Sequence, residues 1–161
     1  MGNGFAEVLR RFSEAQVDFV VIGGVAAVAH GAATVTYDLD IVYERSPENL
    51  GRMVEAMRPL KPYLRDAPEG LPFIWDEKTL QRGLNFTLMT TAGAVDLLGE
   101  VAGGSTYGEL KDSTITLRIF GIDCPCVSLE KLIQLKRAAG RPKDLAALAE
   151  IEALRDARSD G

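Results

Sequence analysis

An α/β fold is what this sequence predicts, and three features of its order predict it. The run Phe19-Val20-Val21-Ile22, ending a strand that starts near Asp18, is apolar on both faces and belongs inside a sheet covered on two sides. Two later pairs of strands read as hairpins, and the chain closes on two consecutive helices within residues 128–156. Helices and strands interleave without an internal repeat, a low-complexity stretch or a linker, so residues 1–161 read as one domain.

Each element has its own signal. Residues 4–15 set Phe5, Val8, Leu9 and Phe12 on one stripe and Glu7, Arg10, Arg11 and Glu14 opposite, the spacing of an amphipathic helix. Gly23-Gly24 closes the first strand, and residues 24–31, with Ala26, Ala27 and Ala29, form a helix of small side chains that can lie close to its neighbours. A second strand spans about 39–43. Ser46 is an N-cap, with Pro47 at the first helical position and Asn49 at N3, for a helix running to Met57. From Arg58 to Gly83 five prolines and glycines (Pro59, Pro62, Pro68, Gly70, Pro72) interrupt short apolar clusters, which predicts an irregular segment: a lid, a binding loop or a plain insertion. Within it Trp75 reads as a packing residue, with stacking on a base as the alternative, and Phe73-Ile74-Trp75 as a surface for a homodimer. Strands at 85–89 and 94–98 surround Thr90-Thr91-Ala92-Gly93, and strands at 114–120 and 123–127 turn at Gly121-Ile122. Helices over 128–139 and 142–154, joined at Gly140, complete the chain.

Composition narrows the partners. A net charge of −5 argues against tight sequence-independent DNA or RNA binding, which rests on many Lys and Arg contacts to phosphate. No apolar run is long enough to cross a bilayer, and the amino terminus lacks the basic start and apolar core of a signal peptide, so a cytoplasmic location is expected. Cys124 and Cys126 flank Pro125 on a strand that sends both thiols to one face. The single histidine, His30, lies far away in sequence, and reduced structural thiols are expected. His30 itself reads as structural.

The chemistry concentrates at Asp38-Leu39-Asp40. Alternation along a strand sends Asp38 and Asp40 to the same face while Leu39 packs the other way. Two acids aimed at one point repel unless a cation lies between them, which points to a divalent site of hard oxygen ligands, of the Mg²⁺ kind that handles phosphates. Asp96, alone in the apolar run Ala94-Val95-Asp96-Leu97-Leu98, also needs compensation once buried. If its strand lies beside the Asp38-Leu39-Asp40 strand, one metal centre satisfies all three acids. Lys136 falls on the apolar face of its helix, three and four positions after Ile133 and Leu132, where it reaches a phosphate or an acidic partner or else snorkels to the edge. Arg141 and Lys143 follow the helix-ending Gly140 as further cations or as solvated junction charge, and Asp144 complements the dipole of the last helix.

Gly23-Gly24, then Ala26, His30 and Gly31, then Thr36 and Asp38-Leu39-Asp40-Ile41, is similar to the signature of the nucleotidyltransferase superfamily, whose larger relatives include polymerase beta and the CCA-adding enzymes. The stretch from Val127-Ser128-Leu129-Glu130-Lys131 to Pro142-Lys143-Asp144-Leu145 resembles the small bacterial branch that contains abortive-infection toxin relatives. The resemblance implies a mixed sheet packed against helices and transfer of a nucleoside monophosphate from an NTP to a hydroxyl on a protein, RNA or small molecule, in a toxin–antitoxin or phage-defence setting with a cognate partner protein. It also implies roles. Gly23 and Gly24 would hold the triphosphate; Asp38 and Asp40 would bind Mg²⁺ (or Mn²⁺); Asp96 would complete the metal site and draw the acceptor's proton. Thr34, Thr36, Lys136, Arg141 and Lys143 would contact nucleotide. One position departs from the pattern: relatives often carry arginine four residues before the first aspartate, and here it is Thr34, whose hydroxyl can donate to phosphate but cannot replace a guanidinium. The alternative is a nucleotide-binding or protein-binding module with the fold and little or no catalysis. A phosphohydrolase using the same acids is disfavoured, because no histidine cluster is present to activate water.

Overall fold

The computed structural model describes residues 3–68 and 70–159. The chain opens on α1 (Asn3–Glu14), which buries Phe5, Val8, Leu9 and Phe12 and carries an Arg11–Glu7 ion pair one turn apart. Removing each such apolar side chain from water stabilises the fold by about 1.5–3 kcal/mol. β1 (Phe19–Ile22) is buried along its whole length, and its Phe19 ring meets Phe12 of α1 edge-on at 5.4 Å. α2 (Gly23–Ala29) follows without a loop, and β2 (Asp38–Tyr43) returns antiparallel to β1 with Ile22 opposite Asp40.

α3 (Pro47–Met57) starts as its sequence dictates, with the Ser46 hydroxyl accepting the Asn49 N–H at 3.3 Å. Asn49 is fully buried and fixes the chain before β1 and after β2: its Oδ1 accepts from Asp18 N at 2.7 Å, and its Nδ2 donates to Asp18 O and Glu44 O. The register that sets Asp40 against Ile22 is thus clamped from its far end.

β4 (Asn85–Thr90) and β5 (Gly93–Leu98) form the expected hairpin, as do β6 (Thr114–Ile119) and β7 (Ile122–Val127); α6 (Leu129–Ala139) and α7 (Pro142–Ser159) close the chain. The stretch from Arg58 to Gly83 is more regular than its prolines predict. It contains the two-residue strand β3 (Tyr63–Leu64), paired with β4, and the short helix α4 (Glu77–Arg82), whose Asp76 cap accepts the Thr79 N–H at 2.8 Å. Elements of two and six residues are too short to show a period between prolines, and the same holds for α5 (Tyr107–Leu110). Trp75 packs as expected: it is buried and its Nε1 donates to Val54 O at 3.0 Å, while the neighbouring Ile74 is exposed.

Among the described residues the strands make one seven-stranded mixed sheet in the order β3-β4-β5-β2-β1-β7-β6. β2 runs parallel to β5 and β1 parallel to β7, while the other neighbours are antiparallel. Leu39, Ile41 and Tyr43 of β2 point into the core on the side of Phe19 and α1, so Asp38, Asp40 and Val42 point to the opposite face. Cys124 and Cys126 are free and buried, and burial pushes their thiols up to about 11 and about 12, which keeps them protonated. His30 is structural: its buried ring donates from Nε2 to Val127 O at 2.8 Å, leaving Nδ1 to accept from Arg158 at 3.0 Å. Burial, aided by the Arg158 charge, lowers its pKa. Among the described residues no helix is long and apolar enough to cross a membrane.

Candidate active site

The site forms where β2 meets β5. Parallel pairing places Asp40 opposite Asp96 and Asp38 opposite Ala94, and the pleat turns all three carboxyl groups to one face. One oxygen from each lies within 4.8 Å of the others. The backbone therefore brings Asp96 to Asp38 and Asp40, from which it lies 58 and 56 residues away in sequence.

Asp40 is the unsatisfied member. Its Oδ1 is buried with no hydrogen-bond partner. Burial, then the charges of Asp38 and Asp96 and a shared hydrogen bond with Asp96, push its pKa up to about 7, against a smaller opposing pull from Lys136. With no metal bound, Asp40 therefore holds its proton to a higher pH than an ordinary carboxyl does. An orphaned buried oxygen beside two further carboxylates fits Mg²⁺ or Mn²⁺, which take hard oxygen donors.

Gly23 explains itself here. Its φ is +70°, in the left-handed region, and a Cβ on it would overlap Oδ2 of Asp40. Gly24 is equally confined: a Cβ would come within 2.9 Å of the Thr36 hydroxyl, which donates to Asp38 O at 2.9 Å. The paired glycines let the β1–α2 turn lie directly against the carboxylates, with Thr36 bracing the start of β2.

A cleft of about 340 Å³ opens from Asp40 and Gly23 between the sheet and α6. Leu98, Val101, Leu132 and Leu135 give it an apolar wall, and Lys136, Arg141 and Asp144 also line it. Lys136 finds an acidic partner within the chain, its Nζ lying 3.3 Å from Asp144 Oδ1. Arg141 lines the cleft but is held by Asp144 through Nε at 2.6 Å and Nη2 at 3.2 Å. Asp144 thus does more than complement a helix dipole; it fixes both cations. Two expected contacts are not brought in: Lys143 and Thr34 are exposed, and neither lines the cleft.

Sequence reasoning missed Arg65. It follows β3, and its Nη2 lies 2.6 Å from Asp96 Oδ1 and 4.0 Å from Asp38 Oδ2. Three converging acids ask for a cation, but residues 58–83 hold five candidates (Arg58, Lys61, Arg65, Lys78, Arg82) and no periodicity that singles one out.

No protein-family model and no curated protein sequence matches the chain. Solved structures do. The lincosamide antibiotic adenylyltransferase LnuA, solved with lincomycin bound, superposes with a TM-score of 0.63 at 13% identity, over 94% of this chain and 96% of that one. ANT(2″)-Ia in complex with adenylyl-2″-tobramycin gives 0.60 at 17% identity, over 99% and 97%. TM1012 from Thermotoga maritima gives 0.57 at 16%, over 98% and 91%. The chain has a nucleotidyltransferase fold. The mixed sheet and flanking helices implied by the Gly23-Gly24 and Asp38-Leu39-Asp40 signature are those of this fold, although identity to each of these structures stays below 20%.

Proposed function

We propose that this chain is a metal-dependent nucleotidyltransferase, moving a nucleoside monophosphate from an NTP to a hydroxyl acceptor. The observation that carries the reading is the convergence of Asp38, Asp40 and Asp96 beside the Gly23 turn, with the orphaned Asp40 Oδ1 among them. These three residues would hold Mg²⁺ or Mn²⁺, which when bound supplies positive charge to the triphosphate and the departing pyrophosphate.

The chain's own residues do the rest. Gly23 and Gly24 admit the triphosphate close to the backbone, and Lys136 presents its ammonium from the far side of the cleft. The apolar wall of Leu98, Val101, Leu132 and Leu135 takes the base and ribose. Asp96, on the β4 side of the cluster, accepts the acceptor hydroxyl's proton. That oxygen bonds to the α-phosphorus as the α–β phosphoanhydride bond breaks, and pyrophosphate leaves. The lincomycin and adenylyl-2″-tobramycin complexes of the fold's solved members make AMP the first group to test and a small-molecule hydroxyl the first acceptor, ahead of protein or RNA. The resemblance of residues 127–145 to toxin-related proteins favours work in the cytoplasm beside a cognate partner, with residues 1–161 acting as one unit.

Incubation with α-labelled NTPs, Mg²⁺ or Mn²⁺, and either cell extract or hydroxylated antibiotics tests the reading. Label passes to an acceptor with the wild type and not with the Asp38→Ala, Asp40→Ala double variant. Nucleotide binding without transfer under either metal would instead establish the second reading, a binding module, which exposed Thr34 in place of a guanidinium favours.

A further inference from the structure

Arg65 is built into the carboxylate cluster rather than resting on it. Its backbone N–H donates to Thr87 O at 2.9 Å, extending the β3–β4 pairing by one residue. Thr87 lies opposite Asp96 across the β4–β5 ladder, so the Arg65 side chain emerges on the face that carries Asp96. Nη1 is anchored on Leu88 O at 3.2 Å, and Nη2 reaches Asp96 Oδ1 at 2.6 Å and stands 4.0 Å from Asp38 Oδ2. The side chain is only 19% exposed, and the two acids it faces, Asp96 and Asp38, belong to the three that converge.

We propose that Arg65 is the resident counter-cation of this cluster: a positioning residue that holds Asp96 and Asp38 in place before a divalent cation arrives and then opposes the binding of that cation. The proposal rests on the metal-site reading above. A carboxylate offers about four lone-pair positions. The guanidinium uses one on Asp96 and leaves the others open, so it stays while metal binds. Its charge then lies a few ångströms from a second, larger positive charge in a half-buried site, where screening is weak. The chain thereby exchanges metal affinity for an assembled site, and the tether to Leu88 O keeps the guanidinium at the rim throughout.

Titration of free Mn²⁺ by electron paramagnetic resonance on wild type, R65Q and R65K tests this, with thermal melts in chelator and in saturating Mn²⁺. R65Q keeps a hydrogen-bond donor and loses the charge; it should bind Mn²⁺ about tenfold more tightly than wild type. It should also melt several degrees lower in chelator and close to wild type in Mn²⁺. R65K, which keeps the charge, should bind Mn²⁺ as wild type does. Equal or weaker Mn²⁺ binding by R65Q overturns the role of Arg65, as does an R65K protein that gains as much as R65Q. Failure of R65Q to fold even in Mn²⁺ overturns it too, since the metal would then be unable to take the guanidinium's place. If wild type and both variants bind no Mn²⁺, the metal site itself falls. None of these outcomes depends on transfer, so they remain separable from failure to find an acceptor.

Discussion

Two acids in the walls of one cleft are treated in opposite ways. Asp144 is 1% exposed; burial alone would raise its pKa, but hydrogen bonds from Arg141 and the charge and hydrogen bond of Lys136 outweigh that and lower it. Both its oxygens are engaged, by Arg141 Nε at 2.6 Å, Arg141 N at 3.3 Å and Lys136 Nζ at 3.3 Å. Asp40 is raised to about 7, and one of its oxygens has no partner. A carboxylate whose lone pairs are filled by its own chain holds architecture. One left short in a buried place is the one that the proposed metal would satisfy.

The sharpest way to break that contrast is to neutralise an acid on each side of it. Asp96→Asn preserves shape but removes the proposed proton acceptor and a proposed ligand charge, and transfer should fall by roughly a thousandfold. Initial rates with labelled NTP, beside an unchanged circular dichroism spectrum, measure this; a loss below about tenfold would take Asp96 out of the chemistry. Asp40→Asn should do something less usual and stabilise the cation-free protein. The Asp40 carboxyl titrates near 3.8 when unfolded and near 7 when folded. Between those values the folded state holds a proton that the unfolded state has released, so stability from this group is full below the lower pKa and is lost as pH rises through the higher. In chelator, the variant's advantage should therefore be nil at pH 4 and reach a few kcal/mol by pH 8. Denaturant midpoints across that range check it, and parallel profiles for both proteins would show that Asp40 carries no such strain.

Asp144→Asn is the mirror experiment. It leaves Lys136 facing a neutral amide and frees the exposed Arg141, and should cost about 2 kcal/mol of stability at neutral pH with transfer reduced severalfold at most. Urea unfolding gives the first quantity. A transfer loss as large as that of Asp96→Asn, in a folded variant, would erase the distinction between the two acids.

That distinction was only half legible in the sequence. Period-two alternation at Asp38-Leu39-Asp40 and the lone acid of Ala94-Val95-Asp96-Leu97-Leu98 are local signals that single out the three carboxylates without any strand pairing. The helix stripe of Phe5, Val8, Leu9 and Phe12 and the Ser46 cap are equally local, so α1 and α3 lie within a residue of their expected ends, whereas α7 runs five residues past the expected end at 154, to Ser159. Arg65 and the bonding of Asp144 were not legible, because each depends on which residues meet across the sheet or across a helix junction. For Asp144 the sequence pattern shows only neighbours along the chain, which point to a dipole partner. Arg65 sat among prolines, where a two-residue strand leaves no period to read.

Lys136 belongs to both regions, and the smallest expected effect settles to which it matters more. Its Nζ pairs with Asp144, yet its charge also lowers the Asp40 pKa across the cleft. Lys136→Met keeps the apolar stem against Leu132 and Ile133 and removes only the charge. If the ammonium serves chiefly to meet phosphate, the NTP KM should rise about fivefold, equivalent to about 1 kcal/mol, with kcat changed by less than about twofold. Lys136→Arg should then recover most of the loss, since either cation can meet a phosphate. If it serves chiefly to hold Asp144, KM stays put and the urea midpoint drops instead, because Asp144 loses a partner it cannot replace from solvent. Steady-state kinetics and unfolding on the same two variants separate these results, and a kcat loss without a KM change would place Lys136 at the reacting phosphate rather than at the binding of the triphosphate.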